Sequence, residues 1–365
     1  MTIPACMDWP RSFSASRWRP ALPDEAKYRE ISFWRILRFA ACCGPMNRSG
    51  KIHALLSTAR VANIPSVVSN VWLGVAIAGY LGGWCSFSHP WSAAARLALA
   101  GVLLYVSGNF LNDWADRAWD LKNRPERALP RGLFPPGFYL RVAAVCAAGG
   151  IFLSAVTSPA SAAVAVAILC MVAIYTCWHK RSPWAVVAMG LCRALLPVMG
   201  AVGFSGVFLV QTIPPHSGMI GACALGLFCH IAGLSLSARY EAMPNPPARI
   251  SNLARILFIT AAAAVSYAIY QWRVDSVLFV VAGLLPYCLW TILSLSVWRK
   301  PVSRHVSRLL AGIPLIDWMV LLPLSLSSLA MTNLAGTPPF TAACLFVPPL
   351  AFVSALLLQR LAPAT

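Results

Sequence analysis

A chain of 365 residues, of which 59% are apolar and only 11% charged, has too few polar groups to cover a soluble fold of that size, and belongs in a bilayer. Its net charge of +18 does not point to a nucleic-acid partner, because no basic helix or aromatic–basic module stands apart from the apolar segments. The twelve cysteines are scattered, with no CxxC pair and a lone vicinal Cys42-Cys43; they suit apolar packing and argue against a disulfide framework or a zinc site.

Residues 1–45 form an extension rich in Arg, Pro, Ser and Trp, with no spanning segment. One reading is sequence upstream of a true start at Met46, which opens Met46-Asn47-Arg48-Ser49-Gly50-Lys51. Another is an interfacial amphipathic helix near 29–40, with Ile31, Phe33, Trp34, Ile36 and Leu37 beside Arg29, Arg35 and Arg38. A cleaved targeting peptide fits least, because Asp8, Asp24, Glu25 and Glu30 spoil an acid-poor transit sequence.

Residues 46–365 read as one membrane domain. A spanning helix needs about 20 mainly apolar residues. Such segments fall near 64–84, 91–112, 138–157, 160–177, 184–209, 217–238, 252–271, 275–297, 309–330 and 341–359. The expected fold is therefore all-α, a polytopic bundle of nine or ten transmembrane helices, nine if one segment is re-entrant or interfacial. Arg48, Lys51, Arg60, the basic residues from Arg117 to Arg131, Lys180, Arg181, Arg239, Arg249, Arg255, Arg299, Lys300, Arg304 and Arg308 fall in loops on one side; the other side carries little beyond Arg273. The positive-inside rule puts the first side, and the N-terminus, in the cytoplasm. An integral protein of a bacterial inner membrane is expected.

The second segment runs into the chain's densest acidic cluster. Asp113, Asp116, Asp120 and Glu126 account for four of its eleven acidic residues, among Arg117, Lys122, Arg124, Arg127 and Arg131. Asn112, Asp116 and Asp120 are spaced four and four, so on a helix each step turns about 400 degrees and all three share a face. Asp113 lies one step around, within reach of the second shell of an ion held there. Hard oxygens of this kind suit Mg²⁺, and the arginines suit a phosphate. The plainer alternative is a solvated helix end.

Asn112 to Asp120 resembles the N-D-x-x-D-x-x-x-D motif of the UbiA superfamily of intramembrane prenyltransferases. Asn123-Arg124-Pro125-Glu126-Arg127-Ala128-Leu129-Pro130-Arg131-Gly132 is similar to that family's R-P-x-x-x-G continuation, in a spelling closest to its EboC-like branch. Arg60-Val61-Ala62-Asn63-Ile64-Pro65 resembles the family's lead into its first helix, which adds Arg60 and Asn63 as substrate-binding candidates. The resemblance implies a helical bundle around a central cavity open to lipid. It also implies Mg²⁺-dependent ionisation of a polyprenyl diphosphate and attack on the allylic cation by a lipophilic acceptor, aromatic or otherwise. Membrane lipids and these two substrates are the implied partners. Asp116 and Asp120 would be catalytic, with Asn112, Asp113, Asp116 and Asp120 on the metal. Arg124 and Arg127 would bind the diphosphate.

The second half echoes the first: a hydrophobic hairpin ends in a charged loop after the sixth segment as after the second. Tyr175 through Lys180-Arg181 resembles a family segment that makes Lys180 and Arg181 phosphate-binding candidates, although loop charge is an equal reading. Met189-Gly190-Leu191-Cys192-Arg193 matches the EboC-like branch and puts Arg193 in a helix, where it should face the cavity as a substrate-binding candidate or, as the alternative, snorkel. The family's second aspartate motif is missing: Gly233-Leu234-Ser235-Leu236-Ser237-Ala238-Arg239-Tyr240-Glu241 keeps only Glu241. Arg239 would then supply positive charge directly and Glu241 would position it, a catalytic pair; an ordinary helix-end ion pair is the alternative. His230 reads as packing. Asp317 is expected to pair with an arginine or to mark a short cytoplasmic lead-in. A competing function is a non-catalytic lipid-binding or export-assisting descendant. A CDP-alcohol phosphatidyltransferase is excluded by the absence of its D-G-x-x-A-R pattern.

Overall fold

A computed structural model describes residues 48–82, 90–180, 182–205, 217–240, 247–272, 274, 276–331 and 338–362. The extension 1–45, with its proposed interfacial helix, lies outside the described residues, as do Arg181 and Glu241. The elements, in order, are α1 (Arg48–Thr58), a 3-10 turn (Val61–Asn63), α2 (Ile64–Gly82), α3 (Pro90–Asn123), α4 (Pro136–Thr157), α5 (Pro159–Trp178), α6 (Ala185–Ser205), α7 (Ser217–Tyr240), α8 (Ala248–Gln271), α9 (Val277–Ser296), α10 (Val302–Ala311), α11 (Ile313–Met331) and α12 (Pro338–Leu361). Among the described residues there is no strand, and ten helical stretches are long and apolar enough to cross a membrane.

Helix is the structure in which a chain can satisfy its own backbone in lipid. Polar capping marks one of the joints. Ser158 ends α4 and caps α5: its Oγ accepts from Ser161 N at 3.1 Å, and Pro159 occupies the first helical position, where no amide hydrogen is missed. The helices α2, α6, α7 and α11 bury most of their spanning windows, whereas α4, α5 and α9 bury little of theirs. Leu73 and Ile77 of α2, Met199 of α6, Leu227 of α7 and Val320 of α11 form one core with Leu97 of α3. Phe152, Ile259, Tyr270 and Leu285 lie on the outer surface, where lipid would meet them.

Two departures from the sequence expectation matter. The apolar stretch at 309–330 is not one helix. The short helix α10 ends at Ala311, Gly312 makes the joint, and α11 opens with Pro314 near its start. On α10, His305, Val306 and Leu309 are buried while Ser303 and Arg304 are exposed, an amphipathic pattern that a hydropathy window averages away. In the second departure, α3 does not stop at residue 112. Its 34 residues run to Asn123 and reach about 50 Å, well beyond a hydrocarbon core of about 30 Å. A helix of that length overruns the hydrocarbon core, and its last turns carry the acidic cluster.

Glycines set the spacing of α2 and α6. A Cβ at Gly74 would overlap the carbonyl oxygen of Pro197, and one at Gly200 would overlap that of Val71. The two backbones touch there, as small residues allow in membrane bundles. Gly74→Val is expected to destabilise the fold by about 1–3 kcal/mol through overpacking. Gly221→Ala, whose Cβ would meet nothing within 4 Å, should leave stability unchanged or slightly raised. Thermal unfolding in nanodiscs checks both; equal melting temperatures for the two variants would refute the close approach.

Candidate active site at the end of the third helix

Asn112, Asp116 and Asp120 do share one face of α3, and all three are buried, at 8%, 6% and 1% exposure. Asn112 Nδ2 donates to Asp116 Oδ2 at 3.4 Å. The carboxylates are held by basic side chains from three separate parts of the chain. Lys180 Nζ lies 3.2 Å and His179 Nε2 3.1 Å from Asp116 Oδ2, both from the end of α5. Arg127 Nη1 lies 2.8 Å from Asp120 Oδ2 and 3.4 Å from Asp113 Oδ1. Arg60 Nη2 reaches Asp113 Oδ1 at 3.8 Å.

Local structure explains each reach. After α3 the chain turns back through 124–135, with Gly132 at φ 69°, a conformation that glycine adopts without a Cβ penalty. Leu129 and Phe134 pack against Phe110 and Tyr139, which fixes this loop against α3 and brings Arg127 to the carboxylates. Arg124, expected beside Arg127 on the diphosphate, is exposed, and its guanidinium stands outside the carboxylate network among the described residues. Arg60 has φ 49° and ψ 51°, a left-handed conformation that costs a non-glycine residue of order 1 kcal/mol. Helix α3 holds that turn in place: Asn109 Nδ2 donates to Ala59 O at 3.1 Å, and Tyr105 Oη to Arg60 O at 3.5 Å.

The second half arrives through the 179–182 turn. Arg239 Nη1 donates to His179 O at 3.2 Å and Ser182 O at 3.3 Å. Arg239 thus clasps the turn that carries Lys180, rather than facing the carboxylates through that nitrogen as a free charge. Lys180 also sits over the Trp119 ring, 3.7 Å from its centroid, and His179 stacks on Tyr175. Charged residues at the ends of α3, α5 and α7 thus meet through this turn, while the loop after α7, expected to converge with the one after α3, lies outside the described residues.

Among the described residues no three His, Cys, Asp or Glu side chains converge as a ready-made metal cage. The four expected ligands do not form one either: Asp113 is turned toward Arg60 and Arg127. Yet Asn112 Oδ1 and Asp120 Oδ1 are buried acceptors without a hydrogen-bond partner, as is Asn63 Oδ1 at the start of α2. Unpartnered hard oxygens beside Asp116 fit a cation that keeps its waters and completes its shell with substrate phosphates, the habit of Mg²⁺.

Arg193 and Asp317 lie elsewhere. Arg193 is buried in α6 and donates from Nη1 to Asn70 Oδ1 at 3.1 Å. Asp317 is not a lead-in: it is wholly buried in α11 and accepts from Ser69 Oγ and Asn70 Nδ2, so its link to Arg193 is indirect, through Asn70. His230 is a packing residue as expected, bonded to Tyr287 Oη at 3.0 Å and Leu309 O at 3.2 Å. Sequence reasoning passed over His179, Asn109, Ser69 and Asn70. His179 directly precedes Lys180, and Asn109 stands one turn before Asn112 on the same face, a signal that was available.

The model of the UbiA prenyltransferase family matches residues 71–313. Digeranylgeranylglyceryl phosphate synthases from two strains of Halobacterium salinarum are 28% identical over 170 residues, which is 47% of this chain and 57% of theirs. The match thus spans little more than half the length of these curated relatives. A structure solved in work on digeranylgeranylglyceryl phosphate synthase in membranes superposes with a TM-score of 0.51 at 16% identity, covering 81% of this chain and 99% of that one; it shares the fold. A UbiA homologue from Archaeoglobus fulgidus, solved with GPP and Mg²⁺, has a TM-score of 0.40 at 11% identity, covering 84% of this chain and 99% of that one.

Proposed function

The chain belongs to the UbiA prenyltransferase family, and we propose that it is an integral membrane prenyltransferase that moves a polyprenyl group from a prenyl diphosphate to a lipophilic acceptor. The observation that carries this is the buried Asn112–Asp116–Asp120 face, with two orphaned oxygens and with cations gathered from the 60, 127 and 180 regions.

In the reaction the allylic C–O bond breaks, and its electron pair leaves with the diphosphate. The acceptor then bonds to the allylic carbon and releases its proton. Mg²⁺, when bound, stabilises the charge that grows on the diphosphate oxygens. Asn112, Asp116 and Asp120 would hold that ion, with Asp113 behind them. Arg127, Lys180 and Arg60 exchange carboxylate for diphosphate oxygens, in a dry site where each such contact counts for more than in water. Arg239 keeps the 179–182 turn in reach; Arg181 as a phosphate-binding residue and Glu241 as the partner of Arg239 stay part of this reading on the family resemblance, both lying outside the described residues. Arg124, exposed on its loop, contributes to capture of the diphosphate rather than to the ion-paired core. Asn63, with its unpartnered Oδ1, stands as a further polar contact for the substrate head group.

The test is incubation of the purified protein with labelled geranyl or geranylgeranyl diphosphate, Mg²⁺ and a lipid extract from its own source. Label moving into a lipid product supports transfer. A non-catalytic lipid-binding or export-assisting protein would bind the diphosphate and leave it intact.

The site belongs on the cytoplasmic side of a bacterial plasma membrane in this reading. With native cysteines replaced, single cysteines at Arg131 and Lys300 should react with an impermeant maleimide only from the cytoplasm, and one at Ser276 only from outside. Opposite labelling at Arg131 and Lys300 would separate the charged loops and end the proposal.

A further inference from the structure

A second polar centre lies inside the bundle, away from the acidic face. Arg193 is 7% exposed and Asp317 is 0% exposed. Both oxygens of Asp317 are taken: Ser69 Oγ donates to Oδ2, and Asn70 Nδ2 lies 3.1 Å from Oδ1 and 2.9 Å from Oδ2. That contact fixes the orientation of the Asn70 amide. Its nitrogen must face the carboxylate, so its Oδ1 must face Arg193, where it accepts from Nη1 at 3.1 Å. Tyr105 covers the guanidinium, 5.4 Å from its ring centroid.

The arrangement is unusual for a purely structural arginine. A buried Arg and Asp normally pair fork to fork, since an unpaired charge in the bilayer interior is costly. Here Asn70 stands between them. Among the described residues no carboxylate pairs with Arg193, and its Nε and Nη2 meet no acceptor. Three side chains from α2 and α11 are thus spent on orienting a guanidinium whose Nε and Nη2, three of its five N–H donors, stay unused.

We propose that Arg193, oriented by Asn70 and Asp317, is an oxyanion subsite that takes a carboxylate or phosphate on the second substrate. This rests on the prenyl-transfer reading for the word substrate; the anion site itself does not. Tyr105 precedes Asn112 by seven residues, about 10 Å along α3. A diphosphate held at the acidic face does not extend that far, whereas an acceptor lying deeper in the bundle does. Two donors of one guanidinium meet two oxygens of one anion, a geometry that an alcohol cannot use.

The test is calorimetry on the full chain in nanodiscs, with benzoate, phenyl phosphate and benzyl alcohol as probes in Mg²⁺-free buffer. Saturable binding is expected for benzoate or phenyl phosphate, and whichever binds more tightly identifies the oxyanion. Benzyl alcohol should bind no better than its partition into lipid. Arg193→Gln should weaken the anion about tenfold or more, the loss of charged hydrogen bonds. Asp317→Asn should weaken it as well, because Asn70 is then free to turn its amide nitrogen toward Arg193. If Arg193→Gln does not fold, Arg193→Lys keeps the charge without the fork, and the same weakening is expected. Equal affinity for benzyl alcohol and both anions, or unchanged anion affinity in the folded Arg193 variant, overturns the subsite. Geranyl diphosphate with Mg²⁺ should bind the Arg193 variant normally and fail in Asp116→Asn. Loss of anion binding in Asp116→Asn as strong as in the Arg193 variant also overturns the proposal, because the probes would then report the diphosphate site. Failure of geranyl diphosphate to bind the wild type would sink the prenyl-transfer reading while leaving the anion subsite standing.

Discussion

Asp116→Asn is expected to lower kcat/KM for prenyl transfer at least about a hundredfold, the scale of losing a group that acts on transition-state charge. The substitution keeps the shape of a side chain that is 6% exposed and removes its charge. Asp116 Oδ2 is where Asn112, His179 and Lys180 meet, so the loss falls on the metal face and on the turn from the second half at once. The cations would then exceed the carboxylates, and a divalent ion would be repelled where it was drawn in. Arg124→Ala makes the contrast. That side chain is exposed and outside the ion-pair network, so its loss should raise KM a few-fold at most, as for an ordinary surface charge. Labelled transfer assays on both variants, with melting temperatures to show that each is folded, settle the matter. Comparable losses in the two would remove the acidic face from the chemistry.

The contrast between Arg124 and Arg127 also shows what the sequence could and could not reveal. The four-residue spacing of Asn112, Asp116 and Asp120 is a local periodicity, and local periodicity is readable. The same holds for the ten apolar stretches. Which of five nearby basic residues reaches the carboxylates is not local. It depends on the loop after α3 turning back at Gly132 and docking Leu129 and Phe134 on Tyr139. Asp317 is a stronger case: its partners Ser69 and Asn70 lie almost 250 positions away in the chain, and only the packing of α2 against α11 brings them together. The joint at Gly312 escaped because a single glycine within a long apolar run does not by itself end a helix. The family resemblance supplied roles for Arg239 and Lys180, yet it could not foresee that one would clasp the turn bearing the other.

Mg²⁺ and the prenyl diphosphate are expected to bind cooperatively, each raising the affinity of the other about tenfold or more, a coupling of at least about 1.4 kcal/mol. The ground for this is charge balance. Asp113, Asp116 and Asp120 are matched by Arg60, Arg127 and Lys180, with His179 as a further donor. A site that is already neutral gives little attraction to a lone divalent cation, and its cations are occupied against a lone diphosphate. When both ligands arrive, the carboxylates turn to the metal and the freed arginine and lysine turn to the phosphates, so each ligand removes the obstacle to the other. Removing a cation should therefore have opposite effects on the two ligands. Lys180→Met should strengthen binding of Mg²⁺ alone, because Asp116 loses its competitor, and should weaken the diphosphate by about tenfold. Arg127→Met should do the same more strongly. It leaves Asp120 buried without a cation and Asp113 with Arg60 alone, so it should also lower stability by about 3 kcal/mol until Mg²⁺ is added. Calorimetric titration of Mg²⁺ with and without a non-hydrolysable geranyl diphosphate measures the coupling directly, and melting curves with and without Mg²⁺ read the rescue. If Mg²⁺ binds wild type and Lys180→Met equally well in the absence of diphosphate, the carboxylates are not restrained by these cations and the exchange does not occur.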